Sequence, residues 1–105
     1  MDTKYFKKIR IFDGGMGQEL LSKGLISKGT LWSASALIEK EFHKLVIDAH
    51  MSYINAGADI IVSNNFSARK IRFIQNKVLD KFQYANEQAG ILANKAREIS
   101  KQNIL

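Results

Sequence analysis

Two short apolar runs most constrain what this chain can become. Residues 9–12 are apolar apart from Arg10, and residues 58–62 are apolar apart from Asp59. The first stops at Asp13-Gly14-Gly15-Met16-Gly17 and the second at Ser63-Asn64-Asn65. A run that ends at a glycine-rich turn reads as a strand. A short β-branched run directly after a helix and a glycine reads as a strand buried on both faces. The chain between them carries helical spacing, so the pairing this predicts is parallel, with right-handed crossovers.

The helical segments follow from period. A short helix is predicted through Glu19, Leu20 and Leu21, with Gly24 as its stop. Residues 25–36 show no clean period and read as a loop with a turn around Trp32. Phe42, Leu45, Val46, Ala49, Tyr53 and Ile54 recur at steps of three and four, which marks an amphipathic helix. It closes at Asn55-Ala56-Gly57, where Gly57 suits a left-handed cap. Ile71, Ile74 and Val78 suggest another short helix. Phe82, Ala85, Ala89, Leu92, Ala96 and Ile99 then form one stripe of a longer helix, which tolerates Gly90 at a cost of about 1 kcal/mol against alanine. Proline is absent, so the helices have nothing to interrupt them. Asn103-Ile104-Leu105 resembles the start of a third strand.

The predicted order is β-α-α-β-α-α-(β), an α/β class read as one unit over residues 1–105. Such a unit has a physical problem. Parallel sheets need cover on both faces, and two strands with a stub leave open edges that invite self-association. The pattern resembles a slice of a larger α/β domain.

Composition narrows the function. Hydrophobic residues make up 46% and charged residues 25%, ordinary for a globular domain rather than a disordered one. No apolar run is long enough to span a membrane, and no apolar stretch follows Lys4, Lys7, Lys8 and Arg10 to make a secretory signal. The chain has no cysteine, which excludes disulfides and thiolate metal ligands within it and suits the cytoplasm. The net charge of +6 is spread along the chain. Its densest stretch, residues 69–81, is interleaved with apolar residues at helical spacing, which reads as a solvated helix face rather than a nucleic-acid patch.

Candidate chemistry lies beyond the carboxyl ends of the two strands, where α/β sheets gather their sites. After the first strand, Gly14 and Gly15 let backbone approach a ligand closely, and Asp13 offers a carboxylate to an ammonium group. The spacing fits neither a dinucleotide fingerprint nor a P-loop. The same residues also suit a tight turn in which Asp13 caps the next helix. After the second strand, Ser63, Asn64 and Asn65 offer short donors and acceptors for a carboxylate or amide, but from the residues alone they read first as caps of the following helix. His43 and His50 stand seven apart, the wrong spacing for a helical zinc pair, and read as surface or packing residues. Trp32 reads as a core anchor.

Four blocks carry a resemblance. Asp13-Gly14-Gly15-Met16-Gly17-Gln18-Glu19-Leu20 resembles the opening "DGGMGTEL" of the homocysteine S-methyltransferases. Leu31-Trp32-Ser33-Ala34 is similar to their "LWSA", and Tyr53-Ile54-Asn55-Ala56-Gly57-Ala58-Asp59-Ile60-Ile61 to their "YLxAGADII". Ser63-Asn64-Asn65-Phe66 stands where they have "TNTF" or "TNTY". Gln18, Ser63 and Asn65 each replace a threonine; Ser63 keeps the hydroxyl and Asn65 changes the shape.

The resemblance implies a (β/α)₈ TIM barrel, of which this chain is an incomplete N-terminal portion of two to three βα units. It implies transfer of a methyl group to the thiol of homocysteine, giving methionine, from a donor such as S-methylmethionine, betaine or a methylated folate. It implies a zinc ion that activates the thiol, held by late cysteines outside this chain, so that the chain alone binds no zinc and is inactive. It implies that Asp13, Gly14, Ser63 and Asn64, with lesser roles for Gly15 and Asn65, hold the amino-acid end of homocysteine. It implies a cytoplasmic enzyme with homocysteine and a small-molecule donor as partners, and with neither nucleic acid nor membrane. The rival readings are a small basic binding protein and a non-catalytic remnant of a barrel.

Overall fold

The computed structural model describes residues 3–25, 29–65, 68–102 and 104–105. Among the described residues five α-helices follow one another: α1 (Met16–Ser22), α2 (Ser35–Ile38), α3 (His43–Asn55), α4 (Lys70–Gln75) and α5 (Phe82–Ser100). Short 3₁₀ turns lie at Thr3–Lys7, Gly29–Ala34, Lys40–Phe42 and Leu79–Lys81. Among the described residues, no helix is long and apolar enough to cross a membrane.

The predicted α/β class, a TIM-barrel portion with formed strands, is not what this chain builds. Among the described residues there is no strand and no sheet, only one parallel bridge between Phe12 and Ile60. A few backbone bonds surround it. Asp59 and Ile60 donate to the Ile11 carbonyl at 2.7 and 3.2 Å, and Asp13 donates to the Ile60 carbonyl at 3.0 Å. Leu105 donates to Asp59, and Ile61 to Leu105, at 3.0 and 2.9 Å. The physical reason for the shortfall is cover. Ile9 is 92% exposed, and Ile11, Phe12 and Val62 are more than half exposed. A parallel sheet is stable only when both faces are buried, and among the described residues these side chains are left more than half uncovered. Of the predicted third strand, Asn103 lies outside the described residues.

The helices instead supply the core. Leu20 of α1, Leu37 of α2, Val46 and Ala49 of α3, Phe73 of α4, and Ala85, Ala89 and Leu92 of α5 are buried together. The alanine stripe of α5 has no bulk to hold α3 away, so the two longest helices pack side by side. A smaller cluster joins Ile54, Ala96 and Ile104, and Ile47 packs against both groups.

The long helices match their periodicity. Helix α3 ends as predicted: Gly57 takes φ +112°, and Ala58 donates back to the Tyr53 carbonyl at 3.0 Å. Gly24, at φ +105°, ends α1 the same way. Two readings need correction. Residues 29–38, read largely as loop, are helical, because Leu31, Ala34, Ala36 and Leu37 all turn into the core. In α4 the buried residue is Phe73, while Ile71 and Ile74 are about half exposed, so the true inward face lies between the two isoleucines. Likewise Ile99, placed on the inward stripe of α5, is 57% exposed.

Candidate functional site

The turn after the Phe12–Ile60 bridge gathers most of the polar geometry. Asp13 is anchored twice across the two apolar runs: its N–H donates to the Ile60 carbonyl, and its Oδ2 accepts from the Val62 N–H at 3.0 Å. No other hydrogen bond to its carboxylate occurs among the described residues. The reading of Asp13 as a helix cap fails, since Gly15 is the N-cap of α1 and no side chain caps it.

Helix α3 forms the wall of this turn. The Tyr53 hydroxyl donates to the Gly15 carbonyl at 2.9 Å, and its ring lies over Gly14. A Cβ at position 14 would stand 2.8 Å from Tyr53 Cε1 and 2.9 Å from its hydroxyl oxygen. Gly14 is therefore glycine because a tyrosine occupies the space, whereas Gly15 has open space around it. Burial holds the Tyr53 hydroxyl above its ordinary pKa, with Glu19 and Asp13 adding to the effect, so Tyr53 stays protonated and keeps donating. Tyr53→Phe should lower stability by only about 0.5–1 kcal/mol, because one solvent-accessible hydrogen bond is lost. Denaturant titration checks this; a loss above about 2 kcal/mol would show that the ring, not the bond, shifts.

His50 lies one turn before Tyr53 on α3. It is fully buried, and neither ring nitrogen has a hydrogen-bond partner. Burial pushes its pKa down, and the nearby Asp13 charge opposes this in part. His43, at the start of α3, has Nε2 2.8 Å from the Leu37 carbonyl oxygen.

The second group divides. Ser63 follows the residue that holds the Asp13 carboxylate, and its hydroxyl donates to Asn65 Oδ1 at 3.0 Å. Asn65 reaches on to Asn86 Oδ1 at 3.4 Å. Asn64 turns inward, is almost wholly buried, and donates from Nδ2 to the Ser33 carbonyl at 3.1 Å. That bond ties the Leu31–Ala34 segment to residue 64. None of the three caps α4, whose N-cap is Arg69 and which has no side-chain capping hydrogen bond. Phe66 and the Trp32 side chain lie outside the described residues.

Sequence reasoning names Asp13, Gly14 and Ser63 near one turn, and the structure brings Asp13 and residues 62–63 together there. It does not single out Tyr53, His50 or Asp59. Asp59 Oδ2 accepts the Ile11 N–H at 3.0 Å and so fixes the register that sets Asp13 in place. The available signal was spacing: His50 and Tyr53 are three apart on a helix next to a double-glycine turn.

The donor set does not fit a thiolate zinc centre. The chain contains no cysteine, and among the described residues no three His, Cys, Asp or Glu side chains gather as a metal site.

Comparison with known proteins gives the family. The homocysteine S-methyltransferase family model matches residues 10–105. Homocysteine S-methyltransferase 1 of Zea mays is 39% identical over 64 residues, which is 61% of this chain and 19% of that protein. Homocysteine S-methyltransferase 2 of Zea mays is 33% identical over 90 residues, 86% of this chain and 24% of the relative. A selenocysteine Se-methyltransferase of Brassica oleracea var. italica is 40% identical over 58 residues, covering 55% and 16% respectively. The chain thus spans between 16% and 24% of the length of these relatives. No solved structure matches it significantly. With a family match over nearly its whole length, the chain belongs to the homocysteine S-methyltransferase family.

Proposed function

We propose that this chain supplies the amino-acid end of an acceptor site in a homocysteine S-methyltransferase, where a methyl group passes to the homocysteine thiol to give methionine. One observation carries the reading: Asp13 presents a carboxylate with one oxygen fixed by the Val62 N–H and, among the described residues, no hydrogen bond to the other, at a double-glycine turn. Such a group suits an ammonium ligand, because a charge-assisted bond is about twice as strong as a neutral one. The open space at Gly15 admits the substrate backbone, and Ser63 directly follows Val62, whose N–H holds the Asp13 carboxylate. In this reading Gly14 holds the turn under Tyr53, Asn64 braces it from inside, and Asn65 orients Ser63. Zinc, in the family reading, is not held by these residues, and residues 1–105 hold substrate rather than transfer a methyl group. The lack of cysteine suits a reducing, cytoplasmic setting. The exposed Ile9, Ile11, Phe12 and Val62 supply a face through which chains self-associate.

The selenocysteine Se-methyltransferase relative favours a second acceptor, since homocysteine and selenocysteine present the same ammonium and carboxylate. Calorimetric titration tests both. Homocysteine should bind the protein at least about tenfold more tightly than 4-mercaptobutanoate, which keeps the thiol and carboxylate but lacks the amine. Equal affinities would remove the ammonium site, and a preference for selenocysteine over homocysteine would select the second acceptor.

A further inference from the structure

Buried polar atoms in proteins are nearly always hydrogen-bonded, because leaving them unpaired costs stability. His50 is the exception among the described residues: fully buried, with both ring nitrogens unpartnered. Residues three apart on a helix share a face, so His50 stands on the side of α3 that sets Tyr53 against Gly14 and Gly15. Several charged side chains lie on α3 or on elements packed against it. They are Lys44 and Asp48 on α3, Glu19 on α1, Lys40 and Glu41 before α3, and Glu87, Lys95, Arg97 and Glu98 on α5. Burial disfavours protonation of His50, and the Asp13 charge at the turn opposes this in part. A carboxylate has about four lone-pair sites, and one of those of Asp13 is taken, by the Val62 N–H.

We propose that His50 is the positioning residue of the Asp13 carboxylate: when a ligand ammonium engages the turn, the imidazole donates a hydrogen bond to the second carboxylate oxygen and locks it toward the ligand. The inference rests on the substrate reading above. A fully buried imidazole gives up no hydration to make that bond. The unpaired histidine is then a cost carried by the empty site and relieved in the occupied one.

The test compares wild type, His50→Leu and His50→Gln in the naturally expressed protein. His50→Leu keeps the bulk and removes two unpaired polar atoms, so its melting temperature should equal or exceed that of wild type. It should nonetheless bind homocysteine about tenfold more weakly, the size of one lost hydrogen bond. His50→Gln, which retains a donor, should recover most of that loss. The pH profile gives an independent readout. Wild-type stability should fall as pH drops below about 6.5, where the unfolded chain takes up a proton that the buried imidazole resists. This slope should vanish in His50→Leu. Homocysteine should also shift the ¹⁵N resonances of the His50 ring. Wild-type affinity in His50→Leu overturns the inference alone. Should His50→Leu fail to fold, an unmoved His50 ring resonance overturns it instead. A wild-type protein that ignores homocysteine overturns the substrate reading, and this inference with it.

Discussion

Phe73→Ala is expected to destabilise the chain by about 3–5 kcal/mol, the usual range for emptying an aromatic site in a core. Phe73 is fully buried and meets the Phe82 ring edge-on, with centroids 5.6 Å apart and planes at 84°. Such a pair adds about 0.5–1.5 kcal/mol beyond burial. Helix α4 has only six residues, no side-chain cap and Phe73 as its buried residue. A domain of this size has about 5–15 kcal/mol in total, and the melting temperature should fall by at least about 12 °C. Ile74→Ala, one residue along and half exposed, should cost less than about 1 kcal/mol. Denaturant melts of the two variants measure the difference. Equal losses would mean that α4 presents its isoleucines to the core, as the bare spacing of Ile71, Ile74 and Val78 suggests.

That contrast shows what the sequence could reveal. Helices α3 and α5 were legible because each is long enough for its stripe to repeat over several turns, and Gly57 and Gly24 punctuate the helix ends through backbone conformations that other residues resist. Helix α4 makes fewer than two turns, so three apolar positions fit more than one face, and Phe73 was passed over for its neighbours. Residues 29–38 fold as helical turns because Leu31 and Leu37 find a core, which no local period announces. The failure at the apolar runs is different in kind. Their composition calls for a sheet buried on both faces, and local sequence encodes that demand without supplying the cover. One bridge, between Phe12 and Ile60, is what remains of it.

The site was half legible for a related reason. Asp13 and its glycines stand together in sequence, so a carboxylate beside a turn could be read directly. Gly14 was read as a place for a ligand to approach, whereas it is first a place for Tyr53. Asn64 reads from sequence as a ligand donor or a helix cap, and in the structure it braces the Ser33 carbonyl, 31 residues away. Tyr53 reaches the turn from a helix some forty residues later, and the packing of α3 against α1 brings it there.

Asp13→Asn is expected to weaken homocysteine binding about 10–100-fold while leaving the fold in place. Asparagine keeps an oxygen to accept the Val62 N–H, so the turn retains its anchor and stability should change by less than about 1 kcal/mol. What disappears is the negative charge, and with it a charge-assisted bond to the ammonium group, worth about 1.5–3 kcal/mol. Two controls separate this from damage to the turn. Binding of 4-mercaptobutanoate, which has no ammonium group, should be unchanged by the substitution. The His50 ring should become still harder to protonate, because the Asp13 charge that partly offsets its burial is gone. An equal loss of affinity for both ligands would mean that Asp13 acts by shaping the turn; unchanged affinity for homocysteine would take Asp13 out of the site. Only a loss confined to the ligand that carries the amine, with the His50 titration moved to lower pH, is what a carboxylate acting through its charge produces.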